Sequence, residues 1–171
     1  MKFESLGAEE KKMIKHVEKN NIFVLETKSF HYVLGIDGEG FNRHIHWGEK
    51  CDVNDYEFEE VHGISSNDPA LNGIKQEITP FGSTMYRECD IKARFEDGCR
   101  EIFLVYKGFE QNGDTLKLHF EDEYYPLGVT LCYEVFEEYD IIKRYVTLTN
   151  TGSDDIVFER IFSAEFTLPS S

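Results

Sequence analysis

The apolar residues of this chain come only in short runs, and this limits its possible folds more than any other feature. The longest uninterrupted run, counting tyrosine, is residues 102–106, whereas a membrane-crossing helix needs about 20 apolar residues. From residue 22 onward, aromatic and β-branched residues alternate with charged ones, and Gly, Asn and Asp recur at short intervals. This pattern is typical of strands joined by tight turns. The sequence therefore predicts no membrane span and a fold built from strands.

Individual strands can be placed from this pattern. They are residues 22–26, 30–36, 41–47, 91–95, 99–106, 116–120, 129–135, 142–148 and 156–168. Asp97-Gly98 is a turn sequence that predicts a hairpin between 91–95 and 99–106. A second predicted hairpin pairs 129–135 with 142–148 around a turn at 137–140. About ten short antiparallel strands do not stay flat as one sheet, so we expect an all-β protein with an antiparallel β-sandwich.

The first 21 residues differ from the rest. Residues 8–20 are rich in Glu and Lys and place Met13, Ile14 and Val17 on one narrow stripe, which predicts a short N-terminal α-helix. We therefore expect an N-terminal helical appendage at residues 1–21 and a β-sandwich domain at residues 22–171. Strand-like sequence continues almost to the end of the chain, and we expect the sandwich to be truncated there.

The charge of the chain argues against one class of partner. Lys and Arg number 18 and Asp and Glu 33, which gives a formal net charge of −15. Most of such a surface repels a phosphate backbone, so nucleic acid is not an expected partner. The first residues lack the basic start, apolar stretch and cleavage site of a secretory signal. We expect a cytoplasmic protein that binds neither nucleic acid nor membrane.

Cysteine and histidine give little support for a metal or a cofactor. The four cysteines form no CxxC pair, and a domain of this length needs no disulfides, so we expect reduced thiols. His44 and His46 are spaced i, i+2, which would put both on one face of a strand and could begin a metal site with His62 or a carboxylate. No second pair completes the set. We expect no metal and no cofactor.

No catalytic constellation emerges from the residues themselves. Glycoside hydrolysis needs two carboxylates about 5 to 9.5 Å apart, but among 33 acidic residues a pairing arises by chance. The acidic positions considered are more typical of solvated faces and turns; they are Glu57, Glu59, Glu60, the run 121–123, Asp154 and Asp155. The sequence has no nucleophile elbow and no phosphate-binding glycine loop. We therefore predict no catalytic residue in this chain.

Two clusters are candidates for binding a sugar. Trp47, the only tryptophan, ends a predicted strand before residues 49–77, an acidic and weakly periodic segment that predicts a long loop. A tryptophan there can stack on the apolar face of a sugar, and a core or sheet-edge tryptophan is the simpler alternative. The second cluster is Tyr86 and Arg87, for which the alternative is a turn and a strand start, with Arg87 paired to a surface acid.

Taken in order, these segments resemble the N-terminal domain of glycoside hydrolase family 36, the bacterial α-galactosidases. The opening meander that ends in His46-Trp47-Gly48 is similar to that family's first strands. The sequence QEITPFG (76–82), followed by Tyr86-Arg87, resembles the family's segment of acidic residue, proline, aromatic and glycine. The strongest likeness lies in residues 114–169, in PLGVTL (126–131), YDIIKR (139–144), LTNTG (148–152), ERIFSA (159–164) and LP (168–169).

The resemblance implies a β-supersandwich domain that precedes a (β/α)8 barrel. In the family the barrel supplies both catalytic aspartates of a retaining mechanism, so this chain would lack them and be inactive alone. The domain would help to build a homo-oligomer and would border the active site. Trp47, Tyr86 and Arg87 would then contact an α-galactoside or a related sugar.

Three functional hypotheses follow. The first is a non-catalytic N-terminal β-sandwich domain of an α-galactosidase-like glycoside hydrolase, which serves assembly and the border of the active site. The second is a free-standing carbohydrate-binding or oligomerisation module. The third, a small hydrolase that uses its own acids, has the least support.

Overall fold

The fold of the protein was obtained as a computed structural model that describes residues 12–59, 75–82 and 88–164. This part of the chain forms ten strands in three sheets. In chain order the strands are β1 (Ile14–Val17), β2 (Ile22–Glu26), β3 (Phe30–Ile36), β4 (Asn42–Glu49), β5 (Ile91–Arg94), β6 (Leu104–Asn112), β7 (Thr115–Asp122), β8 (Leu127–Phe136), β9 (Ile141–Asn150) and β10 (Val157–Ile161). The first sheet has the order β1-β2-β3-β4, the second sheet has the order β6-β7-β8-β9, and a ribbon pairs β10 with β5. Within these described residues, no helix is long and apolar enough to cross a membrane.

The first sheet follows the alternation of its sequence. β2 and β3 have the bounds that the sequence predicts, and they pair antiparallel from Ile22 opposite Gly35 to Glu26 opposite His31. β4 extends two residues past its predicted end, because Glu49 still pairs with the start of β3. The predicted three-strand meander is therefore confirmed.

The second sheet contains the hairpin that the sequence predicts most fully. β8 and β9 pair with Val129 opposite Leu148 and Val135 opposite Ile142, as the period-two pattern requires. Their connection is one 3-10 turn that ends at Asp140, a residue in the left-handed conformation that Asp tolerates. β7 lies at its predicted position and joins β6 to β8. The sheet is therefore a meander of sequence neighbours.

The two larger sheets enclose one apolar core. Alternate residues of β2 and β3 join it from the first sheet, and alternate residues of β7 and β8 join it from the second. Its buried members include Phe23, Leu25, Leu34, Leu116, Leu118, Phe120, Leu131 and Tyr133. Ile91 and Ala93 of β5 belong to the same core. The predicted antiparallel β-sandwich is therefore confirmed.

The outer face of the first sheet is covered by the segment that follows β4. Val24 and Val33 form a second apolar cluster with Tyr56, and Phe58 packs against that cluster. The segment contains one 3-10 turn, Val53–Asp55. The first part of the predicted loop is thus packed on the sheet, and residues 60–74 of that prediction lie outside the described residues.

The α-helix predicted over residues 8–20 is wrong where the structure describes this segment. Residues 14–17 form strand β1, which pairs with β2, and only Glu18–Asn20 make a 3-10 turn. Ile14 is fully buried in the core, and its carbonyl accepts a hydrogen bond from the Gln111 side chain. Because sheet pairing satisfies the backbone and buries this apolar residue, tertiary contacts override local helix propensity. Residues 8–11 lie outside the described part.

The hairpin predicted between residues 91–95 and 99–106 is also wrong. Its turn exists, because the Phe95 amide donates to the Cys99 carbonyl at 2.9 Å. Beyond that turn the chain diverges: the Ile102 amide donates to the Phe81 carbonyl, and β6 begins only at Leu104. β5 pairs instead with β10, more than sixty positions later in the sequence. Of the last predicted strand, residues 156–168, Val157–Ile161 form β10, and residues 165–168 lie outside the described part of the chain.

Candidate functional site

Trp47 lies on β4, the edge strand of the first sheet, directly opposite Tyr32 of β3. Its ring centroid is 6.2 Å from that of Tyr32 and 6.5 Å from that of Phe30. The side chain is 54% exposed. It is therefore a sheet-edge tryptophan, not a core one, and the rings of Tyr32 and Phe30 lie next to it. An exposed indole with a fixed orientation can stack on the apolar face of a sugar ring.

A β-bulge in β4 decides which way the neighbouring side chains point. Val33 pairs with His46 and Leu34 with His44, so Ile45 is an extra residue in the strand. An extra residue reverses the alternation of faces beyond it. His44 and Trp47 therefore share the face that contacts Tyr32, while the His46 ring lies 5.3 Å from that of Tyr56 on the outer face.

This bulge overturns the expectation that His44 and His46 lie on one face. The His44 Nδ1 atom lies 2.7 Å from a carboxylate oxygen of Glu77, whereas His46 Nε2 lies 2.9 Å from the Glu49 carbonyl. His62, the third proposed ligand, lies outside the described residues. In residues 12–59, 75–82 and 88–164, no group of three or more His, Cys, Asp or Glu could hold a metal ion.

Behind Trp47 lies a buried polar cluster centred on the carboxylate of Glu77, which we call the Glu77 cluster. The Tyr32 hydroxyl donates to this carboxylate at 2.9 Å, and the Tyr133 hydroxyl donates to it at 2.5 Å. His44 is its third partner. The Arg144 Nε atom lies 3.5 Å from the same carboxylate, and the Arg144 Nη2 group donates to the Glu77 backbone carbonyl. The cluster thus joins β3 and β4 of the first sheet to β8 and β9 of the second.

The cluster keeps Glu77 ionised despite its burial. Glu77 is 2% exposed, and burial alone raises a carboxyl pKa. The hydrogen bond with His44 and the charge of Arg144 outweigh this, so the pKa of Glu77 lies below its usual value. Burial and the nearby Glu77 charge raise the pKa values of Tyr32 and Tyr133, so both phenols stay protonated and donate.

Sequence reasoning proposed Trp47 as a sugar contact, which stays a prediction, and it missed the Glu77 cluster. Glu77 and Arg144 both stand in segments that carry the family likeness, QEITPFG and YDIIKR, yet no local pattern marks these two charged residues as buried partners. The other predicted sugar contacts, Tyr86 and Arg87, lie outside the described residues. They stay predictions.

Of the acidic residues that the sequence predicted to be solvated, one is buried and bonded to the backbone, and another is exposed. Asp122, which the sequence suggested was solvated, is buried, and its carboxylate accepts hydrogen bonds from the backbone amides of Phe103, Tyr124 and Tyr125. Asp154 is exposed and borders a cavity of about 180 Å³. That cavity is lined by Phe95, Glu96, Asp97, Tyr125, Pro126, Asp154, Asp155 and Ile156.

All four cysteines are free. Cys89 and Cys132 are buried, Cys99 is partly buried and Cys51 is exposed. The expectation of reduced thiols agrees with this arrangement.

Comparison with known proteins relates both the fold and the sequence to one enzyme family. The chain is 29% identical, over 171 aligned residues, to the bifunctional alpha-galactosidase/sucrose kinase AgaSK of Mediterraneibacter gnavus, in an alignment that covers 84% of this chain and 18% of that protein. It is 25% identical to the alpha-galactosidase AgaA of Geobacillus stearothermophilus, over 85% of this chain and 25% of that protein. The chain thus spans about a fifth to a quarter of the length of these relatives.

Solved structures share the fold. The galactosidase domain of AgaSK matches with a TM-score of 0.75 and 27% identity, over 88% of this chain and 25% of that one. The alpha-galactosidase AgaB of Geobacillus stearothermophilus matches with a TM-score of 0.77 and 22% identity, over 88% and 24%. The family model for the glycosyl hydrolase family 36 N-terminal domain matches residues 40–171. The chain therefore belongs to the glycosyl hydrolase family 36 N-terminal domain family.

Proposed function

We propose that this chain is the non-catalytic N-terminal β-sandwich domain of an α-galactosidase-like glycoside hydrolase that removes terminal α-linked galactose. The observation that carries the proposal is the family match over residues 40–171, in a chain that spans only about a quarter of relatives named alpha-galactosidases. A catalytic barrel in the same gene product would be its main partner. A homo-oligomeric assembly and a cytoplasmic location are part of the same proposal.

In this proposal the domain contributes a border to the active site rather than the reacting groups. Trp47 supports such a role because its side chain is half exposed on β4, the edge strand of the first sheet. Indole faces bind sugars by stacking on C–H groups, and neighbouring polar groups select the hydroxyl pattern. Tyr86 and Arg87 are proposed as further sugar contacts on the strength of the sequence alone.

The Glu77 cluster is not a catalytic site in this proposal. Its carboxylate and both phenols are buried, and all of them are engaged with one another. A general acid or nucleophile must reach its substrate within hydrogen-bond distance. The cluster therefore supports a structural role next to Trp47.

A free-standing carbohydrate-binding module is the second candidate, and the exposed Trp47 ring is what favours it. Titration of the 171-residue chain with methyl α-galactoside separates the two proposals. An active-site border that needs its barrel predicts no saturable binding up to millimolar sugar and no galactosidase turnover. A free-standing module predicts saturable binding that Trp47→Ala abolishes.

A further inference from the structure

We propose that Glu77 is the positioning residue for the Trp47 ring. In this arrangement the Glu77 carboxylate fixes the Tyr32 hydroxyl, and the Tyr32 ring in turn holds the indole on the edge strand β4. The functional meaning of this inference rests on the proposed role of Trp47 as a sugar contact. The positional claim itself can be tested without any sugar.

Tyr32 is the link because both ends of its side chain are engaged. Its hydroxyl oxygen lies 2.9 Å from each carboxylate oxygen of Glu77, and its single hydrogen is donated to that carboxylate. Its ring meets the Trp47 ring at 6.2 Å and 61°, an edge-to-face arrangement. Such aromatic pairs add stability beyond their buried area. A Tyr32 ring held at its hydroxyl end gives the Trp47 indole a packing partner in one position.

His44 makes a second connection from Glu77 to the Tyr32 ring. It bonds the carboxylate through Nδ1, and its ring lies 5.0 Å from the Tyr32 ring. His44 and Trp47 share this face only because Ile45 is bulged out of the pairing. Bulges re-aim side chains in this way. The bulge and the Glu77 cluster therefore act on the same aromatic ring.

Glu77 is held in turn by the second sheet and by β4. The Tyr133 hydroxyl and the Arg144 guanidinium engage it from β8 and β9, and its own amide donates to the Asn42 carbonyl at 3.4 Å. A displacement of the carboxylate would disturb the hydroxyl that fixes Tyr32. The position of the second sheet therefore affects Trp47, an exposed residue on the edge strand of the first sheet.

A positional role also accounts for why an ion pair is buried here. Replacing a buried ion pair by well-packed apolar residues is often neutral or stabilising, so such pairs add little stability relative to apolar packing. What hydrogen-bonded polar groups provide is one defined arrangement of their partners. One partner of the Glu77 carboxylate is Tyr32, whose ring contacts the exposed Trp47.

The chain carries its own reporter for the test, because Trp47 is its only tryptophan. We would measure acrylamide quenching and fluorescence anisotropy of Trp47 in the 171-residue protein and in the variants Glu77→Gln and Tyr32→Phe. Glu77→Gln replaces the charged carboxylate with a neutral amide of the same shape, and Tyr32→Phe removes the hydroxyl that bonds to it. Asp122→Asn is the matched control, since it also changes a buried carboxylate but one whose described partners are the amides of residues 103, 124 and 125.

The expected result is an increase in the quenching constant of about twofold in Glu77→Gln and Tyr32→Phe, with faster indole motion, at temperatures where circular dichroism shows a folded protein. Asp122→Asn should match the wild type. Unchanged quenching and anisotropy in folded Tyr32→Phe and Glu77→Gln would overturn the proposal. If Glu77→Gln fails to fold, Tyr32→Phe alone decides.

Kinetics of the complete gene product separate this inference from the proposed function. If both hold, Trp47→Ala raises KM for an α-galactoside, and Glu77→Gln raises it less, with kcat unchanged in both. If Trp47→Ala leaves KM unchanged, the proposed sugar contact fails while the fluorescence result still decides the positioning. A raised KM in Trp47→Ala with wild-type KM in folded Glu77→Gln and Tyr32→Phe would count against Glu77 as the positioning residue.

Discussion

Single charged residues set how this domain responds to acid. Glu26 accepts hydrogen bonds from Lys15 at 2.9 Å and Lys50 at 3.0 Å. Burial alone would raise its pKa, but these two lysines lower it from 4.5 to about 2. Glu77 is shifted in the same direction. Both carboxylates therefore stabilise the folded state most when they are ionised.

The first prediction follows from the sign of these shifts. A carboxyl whose folded pKa is depressed contributes stability above its unfolded pKa and loses it as pH falls toward the folded pKa. For Glu26 we expect that loss between about pH 4.5 and about pH 2. Urea unfolding at a series of pH values should show a shallower acid dependence in Glu26→Gln than in the wild type. Equal slopes would contradict the assignment.

The sequence suggests Trp47 as a candidate because it is unique and stands at a predicted strand end, and its sugar-binding role stays a prediction. It could not identify Glu77, because no sequence pattern distinguishes this buried residue from the rest of the 33 acidic residues. The bulge at Ile45 is equally invisible, since HIHW satisfies regular alternation as well as a bulged strand. Residues that act through partners distant in sequence become visible only in three dimensions.

At the scale of strands, the packing on the outer face of the first sheet requires a glycine in β3. A Cβ on Gly35 would lie 2.9 Å from the Asn21 carbonyl oxygen and 2.9 Å from the Phe58 ring. We predict that Gly35→Ala lowers the free energy of unfolding by about 1–3 kcal/mol, the usual effect of overpacking. Gly38→Ala is the matched control, because a Cβ there meets no atom within 4 Å. Chemical denaturation of both variants checks the prediction, and equal stability would refute it.

Two turns that belong to different sheets, the β2–β3 turn and the β8–β9 turn, meet through Asp140. Its carboxylate accepts hydrogen bonds from the Ser29 amide at 2.9 Å and from the Ser29 hydroxyl. We predict that Asp140→Asn, which tolerates the left-handed backbone there, speeds hydrogen exchange of the Ser29 amide about fivefold, as expected for a weakened charge-assisted bond. Asp52→Asn, which caps a different turn, should leave that amide unchanged. Protection of Ser29 that survives Asp140→Asn would contradict the prediction.

Element prediction succeeded where contacts are local. The β8–β9 hairpin and the β2–β3 pair join neighbours in the sequence, so alternation and turn residues define both strands and register. It failed where partners are remote. β5 pairs with β10 rather than with the segment after its own turn. β1 was missed for a different reason: its partner β2 follows only four residues later, but the Glu- and Lys-rich sequence around it favours a helix. A sequence pattern cannot tell which distant strand completes a sheet.

For the whole molecule, the balance between an exposed apolar surface and a high net charge governs association. Apolar side chains in and directly after β10 and at the start of β9 are about half exposed: Val157 at 44%, Ile161 at 50%, Phe162 at 49% and Ile141 at 53%. Exposed apolar groups favour association, while a net charge of −15 opposes it. We predict that the isolated chain self-associates, and more strongly at about 0.5 M salt than at about 0.05 M, because salt screens the repulsion.

Light scattering and sedimentation over a wide concentration range check this prediction. Val157→Ser combined with Ile161→Ser should reduce association at both salt concentrations, since it removes exposed apolar area. A monomer at every concentration and salt condition would contradict the predicted self-association.

In the proposed function, this sandwich is an α-galactosidase domain that lacks catalytic groups of its own. The most direct measurement compares hydrolysis of nitrophenyl α-galactoside by the product of the complete coding region with hydrolysis by residues 1–171 alone. We expect turnover by the complete product and none by residues 1–171. Robust turnover by residues 1–171, or no α-galactosidase activity in the complete product, would contradict the claim.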